Sequence, residues 1–235
     1  MTYGTDRYGA RHAPILVSIL DIESRECPAN PLPLDQQWRA QRPNAAQFGR
    51  SQYADGYVNT EDDVSSIRGN GGATKSANFA ETYMDYYMTH LVDEKGLFWW
   101  GWHRHYDVYT DQMTGHGGNV HELHAMHCID WFRLWEINPP AVQREIEAIW
   151  EWHVIDKVTG ETDRHDSQQP GCDFSMSAGA YLYAFAFLSY QLQDSKWLDR
   201  AKLLANYYWH RRNPATDFFR TVPMLEPTVS MVNTL

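Results

Sequence analysis

The chain has 235 residues and 43% hydrophobic content, enough for one domain with a substantial core. Thirty acidic against 20 basic residues give a net charge of −10 with no Lys/Arg stripe, which argues against a nucleic-acid partner and obliges any polyanion to find a local cationic pocket. No run reaches the roughly 18 consecutive apolar residues of a spanning helix, and residues 1–20 lack the pattern of a signal peptide, so no membrane partner and a cytoplasmic location are expected.

In chain order, residues 13–21 predict a buried strand or short helix, and 27–75, rich in Pro, Gly, Asn, Asp and Ser, predict loop. Residues 76–92 carry Phe79, Tyr83, Tyr86, Tyr87 and His90 at helical spacing, with Ser76 as N-cap. An aromatic turn, Phe98-Trp99-Trp100-Gly101-Trp102, follows. Residues 119–137 and 140–156 predict a helical hairpin joined by Asn138-Pro139-Pro140, where proline closes one helix and opens the next. Residues 176–192 form an almost wholly apolar helix, and Asp194-Ser195 cap an amphipathic partner over 196–211 that Arg212-Asn213-Pro214 stops. Tyr183, Phe187 and Trp150 are expected between neighbouring helices.

An inner helix apolar all round beside an amphipathic outer one suits a toroid of hairpins, whose inner ring is covered on every side. The expectation is therefore a single all-α domain over 1–235, an (α/α) toroid with an irregular 1–75 and hairpins over 76–213. At about 40 residues per hairpin a ring of six would use the whole chain, so the toroid is read as open or incomplete, or completed by a second copy or partner chain.

The candidate chemistry lies in three segments: Gly101-Trp102-His103-Arg104-His105-Tyr106-Asp107, His121-Glu122-Leu123-His124, and Thr162-Asp163-Arg164-His165-Asp166. Imidazoles and carboxylates are the ligands of a borderline divalent cation, and a guanidinium beside one suits an acidic sugar. The HExH spacing does not fit the HExxH of zinc proteases; His121 and His124, three apart, would share a helix face. Most of the ten tryptophans pack cores, but Trp99, Trp100 and Trp102 flank His103 in a Gly-bounded turn, where a flat ring can stack on sugar. Asp107 and Asp111 are either acceptors for ligand imidazoles or turn residues. Cys27, Cys128 and Cys172 form no CxxC pair, so no zinc knuckle or redox dithiol is expected.

His121-Glu122-Leu123-His124, the segment 139–156 with its run Ile146-Glu147-Ala148-Ile149-Trp150-Glu151-Trp152-His153, and Arg164-His165 together resemble the metal-dependent helical-barrel pectate lyases of polysaccharide lyase family 2 and related six-hairpin glycan-degrading proteins. The resemblance covers residues 96–213. It implies a divalent cation (Mn, Ca or Zn) on His103, Glu122 and His165, with Arg164 as base, and an acidic poly- or oligosaccharide as substrate. Trp100, Trp102, His105 and His124 would then contact substrate, and Asp107 and His121 would stand behind the ligands. Where a lysine is expected after Glu-Leu, this chain has His124. β-Elimination removes the proton on C5 of a uronate, and charge builds on its carboxylate, where a cation stabilises the transition state. A neutral arginine is costly to present, so a neighbouring cation and desolvation must offset that cost; a carboxylate clamp is the other use of Arg164. Two further readings stay open: a helical-toroid glycoside hydrolase using Asp107 with Glu122, or Asp163 with Asp166, and a non-catalytic glycan-binding scaffold.

Overall fold

The computed structural model describes residues 4–17, 20–27, 45–46, 73–100, 104–115, 120–123, 129–170 and 175–217; for 45–46, 73–78, 105 and 115 the backbone course alone is described. Among these the protein is mostly helical, with five helices and five short strands. No described helix is long and apolar enough to cross a membrane. Two compact units divide the chain: Met1–Glu122 with Met126–Glu145, and Leu123–Ala125 with Ile146–Leu235.

In the first unit, α1 (Ala73–His90) begins three residues before the expected cap, so Ser76 lies inside the helix. Its buried Met84, Tyr87 and Met88 recur at helical spacing on one face. A short antiparallel sheet follows: β1 (Ala45–Ala46), β2 (Arg104–Asp107) and β3 (Gln112–Gly115), with β2 central. The Asp107 carboxylate accepts the N–H groups of Tyr109 and Thr110, which makes it a residue of the β2–β3 turn. Asp111 accepts from Ala10 N, Arg11 N and the Tyr106 hydroxyl, tying the N-terminal segment to that turn. Of residues 13–21, expected as a buried strand or short helix, those described contribute an isolated bridge from Leu16 to Thr5.

Helix α2 is only Trp131–Ile137, not 119–137. Its start is set by Asp130, whose side chain accepts from Arg133 N at 3.0 Å. Residues 120–123 are not helical, so the helix face expected for His121 is absent. Instead of forming a hairpin with the next helix, α2 is tied to α1 through Arg133–Glu81 and through Asn138 Nδ2 donating to Asp85 Oδ1. Helix α3 (Pro139–His153) opens on proline as expected, and Asn138 Oδ1 accepts from Ala141 N.

The second unit holds the hairpin the sequence announces most clearly, α4 (Ser175–Leu192) against α5 (Ser195–Arg211), with Asp194 capping α5 through Lys196 N. Trp150, Phe185 and Trp197 interlock at centroid separations of 5.6 and 5.7 Å, and the Arg200 guanidinium lies 4.2 Å from both tryptophan rings. Phe187 is buried as expected, and each side chain of this kind contributes about 1.5–3 kcal/mol when fully buried. Tyr183 is a correction: it is 39% exposed, and Tyr190 is 64% exposed, so α4 is not covered on every side. Residues 154–156, expected as helix, turn into β4 (Val154–Asp156), paired with β5 (Glu161–Thr162). β-Branched Val154 and Ile155 favour that switch. Gly160 closes the turn at φ +90°, where a Cβ would meet Leu203 O at 2.9 Å.

Candidate active site

The Arg164-His165 pair follows β5 in a loop built around one carboxylate. Asp163 accepts from His165 N at 2.8 Å, Ser167 Oγ at 2.8 Å and Gln169 N at 2.7 Å. A second hold comes from α3 and α4. The buried His153 Nδ1 is 3.1 Å from Asp163 O and 2.9 Å from Tyr181 Oη, and the Tyr181 hydroxyl lies 3.2 Å from the carbonyl oxygens of both Asp163 and Arg164. A carbonyl only accepts, so these partners assign the His153 proton to Nδ1 and leave the tyrosine to donate onward to the loop. Burial brings His153 down to about 4, against the raising effects of the Asp163 carbonyl and the charges of Asp166 and Asp163, which keeps the imidazole neutral near pH 7. Arg164 and His165 are half-buried, and Asp166 is buried.

The Glu122 segment is organised by burial in the first unit. Glu122 is 2% exposed, and His121 beside it is fully buried. Trp100 Nε1 is 2.6 Å from His121 Nε2; an indole N–H can only donate, so Nε2 carries no proton and His121 is neutral. Glu145 Oε1 lies 3.2 Å from that nitrogen without the alignment of a hydrogen bond, while Oε2 accepts from Phe98 N at 2.5 Å.

Burial pushes the Glu145 carboxyl well above its ordinary value, and the Phe98 N–H offsets this only in part. The folded chain thus holds this proton more tightly than the unfolded one. Stability linked to it is complete below the ordinary value of 4.5 and is lost as pH rises toward the raised folded value. Glu145→Gln cannot ionise and keeps an acceptor for Phe98 N. It is expected to match the parent's stability near pH 4 and to exceed it at pH 8, by about 1–3 kcal/mol. Thermal melts at the two pH values check this, and parallel pH profiles for both proteins would exclude a proton held at Glu145.

Of the expected site residues, Glu122 belongs to the first unit and Arg164 and His165 to the second. His103, Trp102 and His124 lie outside the described residues, and of His105 only its place on β2 opposite Thr114 is described. Trp100 corrects the expectation of a ring open to sugar. It is 2% exposed, with Phe98 and Trp131 edge-on at 5.0 and 5.9 Å, so its ring belongs to the core. Asp107 serves its turn, and His121 stands directly against Trp100 and Glu145. Among the described residues no three His, Cys, Asp or Glu side chains group as a metal site. A carboxylate such as that of Glu122 and an imidazole such as that of His165 are each donor types that a borderline divalent cation takes. The sequence did not single out Glu145 or Tyr181, because an acid or tyrosine inside a helix carries no local mark of what it meets across the fold.

Residues 64–176 match the family model described as periplasmic pectate lyase, a span that takes in positions 103, 122, 164 and 165. A pectate disaccharide-lyase of Dickeya dadantii (strain 3937) is 32% identical over 95 residues, covering 39% of this chain and 17% of that protein. Over this stretch the chain is similar to pectate lyases, and the match spans a small share of the relative's length. The expected cytoplasmic location is overturned by the family's description as periplasmic.

Proposed function

We propose that this chain acts in cleaving a pectate-like, uronate-containing glycan by metal-assisted β-elimination. The observation that supports it most is the pectate lyase match across residues 64–176, which includes both Glu122 and the Arg164-His165 pair. Arg164 would take the C5 proton of the uronate, and charge would develop on the uronate carboxylate as the bond to the leaving glycosyl oxygen breaks. A divalent cation on His103, Glu122 and His165 would supply positive charge where that enolate-like species forms. Trp102, His105 and His124 are the residues proposed to contact the sugar. The Asp163 carboxylate has three hydrogen-bond donors on it, which suits a loop anchor better than the acid or base of a hydrolase.

The test is to strip the full chain of metal with a chelator, add back Mn, Ca or Zn singly, and follow polygalacturonate for the ultraviolet absorbance of an unsaturated uronate. Metal-dependent absorbance is the expected result. New reducing ends without that absorbance would make the protein a hydrolase, and binding without either product would make it a glycan-binding scaffold.

A further inference from the structure

Resting on the lyase reading, we propose that Tyr181, with His153 and Asp163, is a positioning residue that holds the Arg164 backbone in register for proton abstraction. Loops that carry reacting groups are the mobile parts of most folds, yet this one is held twice. From inside, Asp163 gathers the N–H groups of His165 and Gln169 and the Ser167 hydroxyl. From outside, Tyr181 on α4 and His153 at the end of α3 take the carbonyl oxygens of Asp163 and Arg164. Tyr181 is 0% exposed, with its ring 5.0 Å from that of His153, so the hydroxyl cannot shift without opening the core. Arg164 thus stands on a carbonyl fixed from α4, one residue after the carboxylate that fixes the next amide. A base misplaced by about 1 Å loses on the order of 10²-fold in rate, which is the benefit such a hold secures.

Tyr181→Phe in the full chain keeps the ring and removes the hydroxyl. With saturating divalent cation and polygalacturonate, kcat is expected to fall about tenfold or more while KM stays within about twofold, the pattern of lost transition-state placement. Amide exchange at His165 and Gln169 is expected to quicken about tenfold while the amides of α4 and α5 keep their protection. Tyr190→Phe, on the exposed side of the same helix, should move neither reading. Native turnover with native exchange at the two amides overturns the clamp. Faster exchange with native turnover also overturns it, since the hydroxyl would then be structural only. Should Tyr181→Phe fail to fold, Ser167→Ala, at an exposed position, removes one of the three donors to Asp163 and is judged by the same two readings. An unaltered chain that makes no unsaturated product overturns the lyase reading itself, before any variant is compared.

Discussion

Arg164→Lys is expected to slow elimination by a factor of at least about 10², the lower end of what a positioned base contributes, with little change in substrate affinity. The substitution separates the two uses open to a guanidinium at this position. As a clamp on the uronate carboxylate, Arg164 would work through its bidentate fork; lysine keeps the charge, so affinity should fall while part of the turnover survives. As the base, it must present one nitrogen to the C5 proton from a fixed backbone, and a flexible ammonium on a different stem does not reproduce that placement. Arg164 O and the His165 amide are both tied down and Arg164 is half-buried, a fixed backbone of the kind that placing a base requires. Steady-state kinetics at full metal occupancy decide between them. Near-native turnover would take Arg164 out of the mechanism and move attention to His105 or His124.

What the sequence displayed and what it hid divide along a physical line. The α4–α5 hairpin was legible because its signals are local: a long apolar run, the Asp194 cap, and the stop at Pro214. The break at Asn138-Pro139 was legible for the same reason. The helix expected over 119–137 failed where His121, buried beside Glu122, is held by partners distant in sequence. Trp100 reaches His121 from 21 residues away, and Glu145 from the following helix. Periodicity counts apolar residues and takes a histidine or glutamate as solvent-facing, so a buried polar pair reads as a helix surface. Trp100 was misread in the same way: its flanking glycine suggested an open turn, whereas its ring is enclosed by Phe98 and Trp131. For the candidate site, Arg164 and His165 were legible as a dipeptide, and Asp163 with Ser167 is a pattern of side-chain-to-backbone bonding in a loop. The hold from Tyr181 was not, since nothing in an apolar helix marks which tyrosine hydroxyl points at a carbonyl.

Removal of the metal is expected to abolish elimination, and single changes at the ligands are expected to show which side chains hold it. Glu122→Gln preserves volume at a position that is almost fully buried, so the fold has little reason to rearrange, while the charge that favours a cation is gone. His165→Asn keeps a polar side chain on the Asp163-anchored loop and removes the imidazole nitrogens. Altering a group that merely supports a ligand costs roughly 10- to 100-fold in metal affinity, and loss of a direct ligand should cost at least that much. Each variant should therefore need at least about tenfold more metal for half-maximal activity, and calorimetric titration should show the same shift without substrate present. Activity at saturating metal separates the two effects: a ligand change recovers part of its turnover there, whereas Arg164→Lys does not. If Glu122→Gln and His165→Asn both bind metal as the parent does, the ligand set drawn from the resemblance is wrong, and the cation, if the reaction needs one, is held elsewhere in the chain.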